Sequence, residues 1–332
     1  MTATAPDTLA HASAPTLAEL EEAAALVHAS IPPTPQYAWP LLSARAGAEV
    51  WVKHENHSPV GAFKVRGGLV YVDALRRTQP GVAGVVTATT GNHGQSVGLA
   101  ASRAGLGAVV VVPRGNPEGK NAAMRALGVE LVERGHDFQA AAEAADAIAA
   151  ERGWHRLPSF HPLLVRGVAT YALELFRAAP PLDAVYVPVG LGSGICGVIA
   201  ARDALGLRTA VIGVVASAAP AFARSLARGE IVSHEVSTRI AEGMACRTPV
   251  APALEAVSRG AERLVEVTDD EIEGAMRALF ADTHNVAEGA GAAALAALLQ
   301  ERDRMRGRRV AVVLTGGNVD ASTFARVLGG ES

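Results

Sequence analysis

Apolar and polar positions along this chain come in blocks. Short apolar runs, many of them β-branched, are separated by longer stretches with helical spacing. Glu49–Lys53, Gly84–Ala88, Ala108–Pro113, Glu130–Val132, Ala184–Pro188, Ala210–Val215 and Val310–Leu314 read as strands. Ala108-Val109-Val110-Val111-Val112 is apolar at every position, as in a parallel strand buried on both faces. Helical patterns run from about Gln95 to Arg103, from Gly119 to Leu127 and from Phe138 to Arg152. Asp269-Asp270-Glu271 places acidic residues at the start of another helix, which continues through Phe280. The alternation predicts an α/β protein with parallel sheets covered by helices on both faces.

Three predicted strands run into glycine-rich turns. They are Thr89-Thr90-Gly91-Asn92-His93-Gly94-Gln95, Val189-Gly190-Leu191-Gly192-Ser193-Gly194 and Leu314-Thr315-Gly316-Gly317-Asn318. The C-terminal ends of strands are where open α/β sheets bind ligands. Glycines there accept φ > 0 and let a ligand approach the backbone. Amide N–H groups at a following helix start attract phosphate or carboxylate. The second turn, with glycine at every second position and the Ser193 hydroxyl, is the better phosphate cup. The first turn has the spacing of neither a dinucleotide nor a nucleoside triphosphate loop, and NAD and ATP are not the expected ligands. A lysine, Lys64, stands in Gly61-Ala62-Phe63-Lys64-Val65-Arg66-Gly67-Gly68 and supplies an amine able to form an imine. An imine-forming lysine beside a phosphate cup points to pyridoxal phosphate.

Composition narrows the partners. Charged residues are 19% of the chain and the formal net charge is -3, with no long basic run. Nucleic acid and anionic membrane are therefore not expected partners. No apolar run reaches the roughly 18 residues of a membrane span. Residues 1–15 are small and polar, expected as a frayed tail rather than a signal peptide. Two cysteines, Cys196 and Cys246, fit a reducing compartment, so a cytoplasmic location is expected.

Taken together, the motifs resemble the fold-type II pyridoxal phosphate enzymes of the serine/threonine dehydratase group, which includes serine racemase. The likeness spans about residues 30 to 325. It adds Thr34-Pro35, Lys53-His54-Glu55-Asn56, Glu242-Gly243 and Glu288-Gly289-Ala290-Gly291 to the lysine motif and the three turns. It implies a tryptophan synthase β-like fold of two open, twisted, mostly parallel sheet domains. Residues 1–79 and 161–332 would form the large cofactor-binding domain, and residues 80–160 a small α/β domain. Lys64 would hold the cofactor through an imine and act as the α-proton base, with Phe63 flanking the ring. Asn92 would bond the cofactor's 3-oxygen. Gly190, Leu191, Gly192, Ser193 and Gly194 would cradle its phosphate, and Thr315 would face its pyridine nitrogen. Gly243 and Glu288 would complete the cofactor site. Ala62, Thr89, Thr90 and His93 would receive the substrate, with Thr90 also a candidate acid/base on the second face. A homodimer is implied as well.

The implied reaction is β-elimination from a 3-hydroxy amino acid, giving a 2-oxo acid and ammonia, with L-threonine and L-serine as default substrates. Ala62 and Gly289 are smaller than the residues usual in the group, which makes phenylserine an alternative. Hydroxyaspartate is another, with Arg66, Arg166 or Arg247 as receivers of a second carboxylate. Racemisation, sulfhydrylase-like β-substitution and non-catalytic cofactor binding are further alternatives. Residues 215–219 lack the carboxylate that binds a divalent cation in some relatives, so no metal is expected there. His54, His57 and His161 match no metal-ligand spacing and read as solvated or loop residues. Cys196 reads as a small buried helix residue. His284 is a weaker candidate for the site.

Overall fold

The computed structural model describes residues 14–330, so most of the expected N-terminal tail lies outside the described residues. Among the described residues, ten strands form two sheets. The larger has the order β1 (Gln36–Ala38), β2 (Glu49–His54), β10 (Arg309–Leu314), β7 (Ala184–Pro188), β8 (Ala210–Ala216) and β9 (Arg263–Val267). Only β1 and β2 pair antiparallel in it. The smaller has the order β5 (Glu130–Glu133), β4 (Gly107–Val112), β3 (Gly84–Ala88) and β6 (His155–Arg156), all parallel. Central strands β3, β7 and β10 are buried along nearly their whole length, as helices on both sheet faces require.

Sheet order decides where the chemistry gathers. β10 lies between β2 and β7 although it is last in sequence. The segments leaving β2, β10 and β7 therefore emerge side by side at one edge. They carry Lys64, Thr315 and the Gly190–Gly194 loop. This is the crevice where open α/β sheets take ligands.

Two helices that position the lysine cross at glycines. The Lys64–Thr78 helix has Gly67 and Gly68 near its start, a poor local signal for helix. A Cβ on Gly67 would lie 2.8 Å from the Leu164 carbonyl oxygen, and one on Gly167 would lie 2.3 Å from that of Arg66. The glycines let this helix and Pro162–Ala178 pack backbone to backbone, and that burial outweighs the lost propensity.

Candidate active site

Lys64 is the first residue of its helix and is fixed on three sides. The Phe63 amide donates to the Thr315 carbonyl at 3.0 Å, and the Gly317 amide donates to Gly61 at 2.9 Å. Ala62 bridges Gly316, and the Ser96 hydroxyl donates to the Lys64 carbonyl at 2.7 Å. The Lys64 ammonium nitrogen lies 4.8 Å from the centre of the Phe63 ring. Burial lowers its pKa below the ordinary lysine value, and Glu288 pulls the other way. A lysine so placed is readily made into a neutral amine, the form a nucleophile and base needs.

Behind Lys64 lies a buried ionic network. Arg66 has no exposed side-chain surface and holds two carboxylates. Its Nε and Nη2 donate to Glu55 at 2.7 and 3.0 Å, and its Nη1 and Nη2 donate to Glu174 at 2.6 and 2.9 Å. Buried Lys53 donates to Glu174 at 2.6 Å, and Thr34 donates to Glu55 at 2.6 Å. Burial alone would raise the Glu174 pKa, but Arg66 and Lys53 more than offset it and bring it down to about 2. Arg66 is thus committed and cannot receive a substrate carboxylate, contrary to the sequence expectation. Arg166 is paired with Glu19, and exposed Arg247 with Glu235.

In the expected phosphate-cup turn, glycine is required for narrower reasons than expected. Only Gly192 in it has positive φ, +99°, and a Cβ there would lie 2.9 Å from the Ala253 Cβ. Gly190 is needed for space, since a Cβ would meet the Gly243 carbonyl oxygen at 2.4 Å. At Gly194 a Cβ would find ordinary contacts. The Ser193–Ala204 helix starts here with no side-chain cap. Its first N–H groups are disposed to take an anion.

The Thr89–Gln95 turn differs from expectation in the same way. Neither Gly91 nor Gly94 has positive φ. Gly94 is required because a Cβ would lie 2.4 Å from the Met124 sulfur. The helix starts at Asn92 rather than Gln95, so the turn is itself the helix N-terminus. The Thr89 hydroxyl accepts the Gly91 amide at 3.1 Å, and Thr90 is partly exposed. His93 turns its ring inward. Burial depresses its pKa to about 3, the Pro158 carbonyl bonds it, and its Nε2 is buried without a hydrogen-bond partner. Its backbone rather than its ring is what the turn can offer a ligand.

Asn92 joins the two sheets' loops. Its Nδ2 donates to Glu288 Oε1 at 2.8 Å, and its Oδ1 accepts from Asn318 at 2.8 Å. An amide nitrogen has two protons, so one remains for a ligand oxygen. Glu288 reaches this position because Gly316 has no side chain; a Cβ there would lie 2.7 Å from Oε1. Burial raises the Glu288 pKa to about 7, with Lys120, Asn92 and Lys64 pulling it down and Glu242 pushing it up. Sequence reasoning gave no role to Lys120, to Ser96 or to Glu174. For Glu174 a signal exists, a lone carboxylate flanked by buried Leu173 and Leu175.

Other candidates fall away from the site. His54 is buried at the end of β2 and accepts from Trp39 at 3.0 Å, and buried His161 caps Pro162–Ala178, so neither is a solvated loop residue. His57 is exposed and bonds Asn285 at 2.7 Å. His284 is exposed and packs edge-on against Phe280, outside the cleft. Cys196 is buried in its helix. A separate surface groove of about 1070 Å³, lined in part by Leu26, Leu69, Arg76 and Arg103, contains none of the turn residues.

Comparison with known proteins adds a family to this geometry. The family described as pyridoxal-phosphate dependent enzyme matches residues 27–316. The chain is 35% identical over 289 residues to an L-threonine ammonia-lyase of Thermotoga maritima, covering 87% of this chain and 72% of that one. It is 32% identical over 298 residues to an L-threo-3-hydroxyaspartate ammonia-lyase of a Pseudomonas species, covering 90% and 93%. The structure of maize serine racemase superposes with a TM-score of 0.89 at 26% identity, covering 95% and 97%.

Proposed function

This chain belongs to the family of pyridoxal-phosphate dependent enzymes, and on that premise we propose that it is an ammonia-lyase that dehydrates a 3-hydroxy amino acid. The observation that carries the reading is the Lys64 amine held where the segments after β2, β10 and β7 meet. Names of relatives that act on threonine and hydroxyaspartate support it.

The residues present fit the cofactor. The Gly190–Gly194 loop, which tolerates no Cβ at Gly190 or Gly192, would hold the phosphate. Phe63 would flank the ring, Asn92 would give its second amide proton to the 3-oxygen, and Thr315 would face the pyridine nitrogen. Gly243 and Glu288 would close the site. When bound, pyridoxal phosphate supplies an aldehyde that condenses with amines and a ring that delocalises negative charge.

Each chemical task then falls to a residue of this chain. The Asn92 helix start, with Thr89 and Thr90, orients the substrate through its α-carboxylate. Ala62, fully buried, would wall the side-chain pocket. Lys64, which would hold the cofactor, is poised to take the proton from the α-carbon. Buried, it does so without the hydration shell that would weaken it as a base. Loss of the β-hydroxyl as water leaves an enamine, which takes up water to give the 2-oxo acid and ammonia. L-threonine and L-serine are the first substrates to test. Part of the same reading is a cytoplasmic homodimer with a large domain of residues 1–79 and 161–332 and a small one of 80–160. All four strands of the smaller sheet fall within that insert, and both cysteines are unbonded. Light scattering tests the dimer. The central experiment is a panel of hydroxy amino acids followed by 2-oxo acid release. Absence of product from every member would reject the reading.

A further inference from the structure

A cation stands at the mouth of the cleft with no role yet. Lys120 belongs to Glu118–Arg125, a helix that follows β4 of the smaller sheet. Its aliphatic stem runs over Gly91, with Cδ 3.4 Å from where a Cβ on that glycine would be. Gly91 opens the helix start assigned above to the α-carboxylate. The Lys120 ammonium is ion-paired with Glu242, which precedes Gly243, the residue whose carbonyl packs against Gly190 of the second turn. Its charge also reaches Glu288.

The pair is unequal. The Lys120 side chain is 16% exposed and that of Glu242 is 51% exposed. Glu242 can leave for water at little cost, since an ion pair with an exposed partner is worth about 0–1 kcal/mol. The ammonium cannot withdraw as easily. It already holds one carboxylate, supplied by the chain itself, within reach of the turn that would hold the substrate. Of the arginines offered by the sequence for a second carboxylate, Arg66 is closed off by Glu55 and Glu174, Arg166 lines the separate groove, and Arg247 is an exposed residue paired with Glu235.

We propose that Lys120 receives a second carboxylate on the substrate, which replaces Glu242, so that the enzyme prefers a hydroxylated dicarboxylic amino acid over threonine. This rests on the ammonia-lyase reading and specifies its substrate class. The chemistry balances without a further reactant. 3-Hydroxyaspartate loses its hydroxyl as water, and the enamine takes up one water to release ammonia and oxaloacetate.

The test measures kcat/KM of the holoenzyme for 3-hydroxyaspartate and for threonine in the native protein, Lys120→Met, Lys120→Arg and Glu242→Gln. A charge-assisted hydrogen bond lost with Lys120→Met lowers the hydroxyaspartate-to-threonine ratio by roughly 10- to 100-fold, mainly through KM. Lys120→Arg recovers part of the loss, and Glu242→Gln raises the ratio. Succinate, which has two carboxylates but neither amine nor hydroxyl, inhibits threonine turnover in the native enzyme and does so more weakly in Lys120→Met. Threonine turnover without preference for hydroxyaspartate, or a ratio that Lys120→Met leaves within about twofold, overturns the inference and leaves the ammonia-lyase reading standing. No 2-oxo acid from any hydroxy amino acid overturns that reading, and the inference with it.

Discussion

Replacing Glu174 by glutamine isolates the worth of the buried network behind Lys64. The side chain keeps its shape, so no cavity forms. In the native protein Lys53 and Arg66 face Glu55 and Glu174, and His28 also bonds Glu174 at 2.7 Å. The substitution leaves Lys53 and Arg66, both without exposed side-chain surface, sharing one carboxylate. Breaking a buried pair from one side costs about 3–5 kcal/mol. An independent figure comes from the carboxyl itself. Its pKa falls from 4.5 to about 2, which at 1.36 kcal/mol per unit is about 3 kcal/mol. Urea unfolding followed by far-ultraviolet circular dichroism at pH 7 should show a loss of about 3–4 kcal/mol with an unchanged slope. The sign with pH follows from the direction of the shift. A carboxyl depressed in the folded state contributes in full above its unfolded value of 4.5 and loses that contribution as pH falls through about 2. The gap between native and variant proteins should therefore close as the pH is lowered across that window. A loss under about 1 kcal/mol at pH 7, or a gap independent of pH, would refute the reasoning.

Further outcomes are expected. Lys64→Ala should abolish both elimination and the borohydride-fixable cofactor signal; retention of either without added amine contradicts the assignment. Gly192→Val should weaken cofactor retention by at least about tenfold, because the backbone sits at φ +99° and Ala253 fills the space; equilibrium dialysis of the purified variant checks it. Thr315→Ser should be mild, whereas Thr315→Asp should favour the protonated ring nitrogen and shift the balance from elimination toward α-proton exchange. Deuterium incorporation against 2-oxo acid yield measures that balance, and identical behaviour of the two variants would exclude Thr315 as the nitrogen partner. Glu288 titrates at about 7 in the folded protein, above its unfolded value of 4.5, so the folded state holds that proton more tightly. Stability of the cofactor-free protein should then fall between pH 4.5 and 7, and Glu288→Gln should flatten the slope; equal slopes would show that Glu288 does not titrate there.

Local patterns carried the strands and the chemistry. Buried parallel strands such as Gly84–Ala88 and Ala184–Pro188 are largely apolar and each runs into a glycine-rich turn, so their limits were readable to the residue. The lysine and glycine motifs, together with the family they resemble, singled out Lys64, Asn92, Gly192 and Thr315 as candidates. The Lys64–Thr78 helix was not readable, since two glycines near its start argue against helix until another helix is packed on them.

The strand and helix alternation, the cofactor and the class of chemistry were legible in the sequence, because each strand, turn and motif is written within a few positions and the motifs follow one another in the order of the family they resemble. Tertiary structure alone decided which charges are available. Arg66 is a free cation on paper and the centre of a closed network in the fold, because Glu55 and Glu174 reach it from β2's end and from Pro162–Ala178. Lys120 is one of three lysines on paper. The fold lays it over Gly91 and opposite Glu242, 122 positions away in sequence, and hydrophobic periodicity carries no information about pairings at that distance.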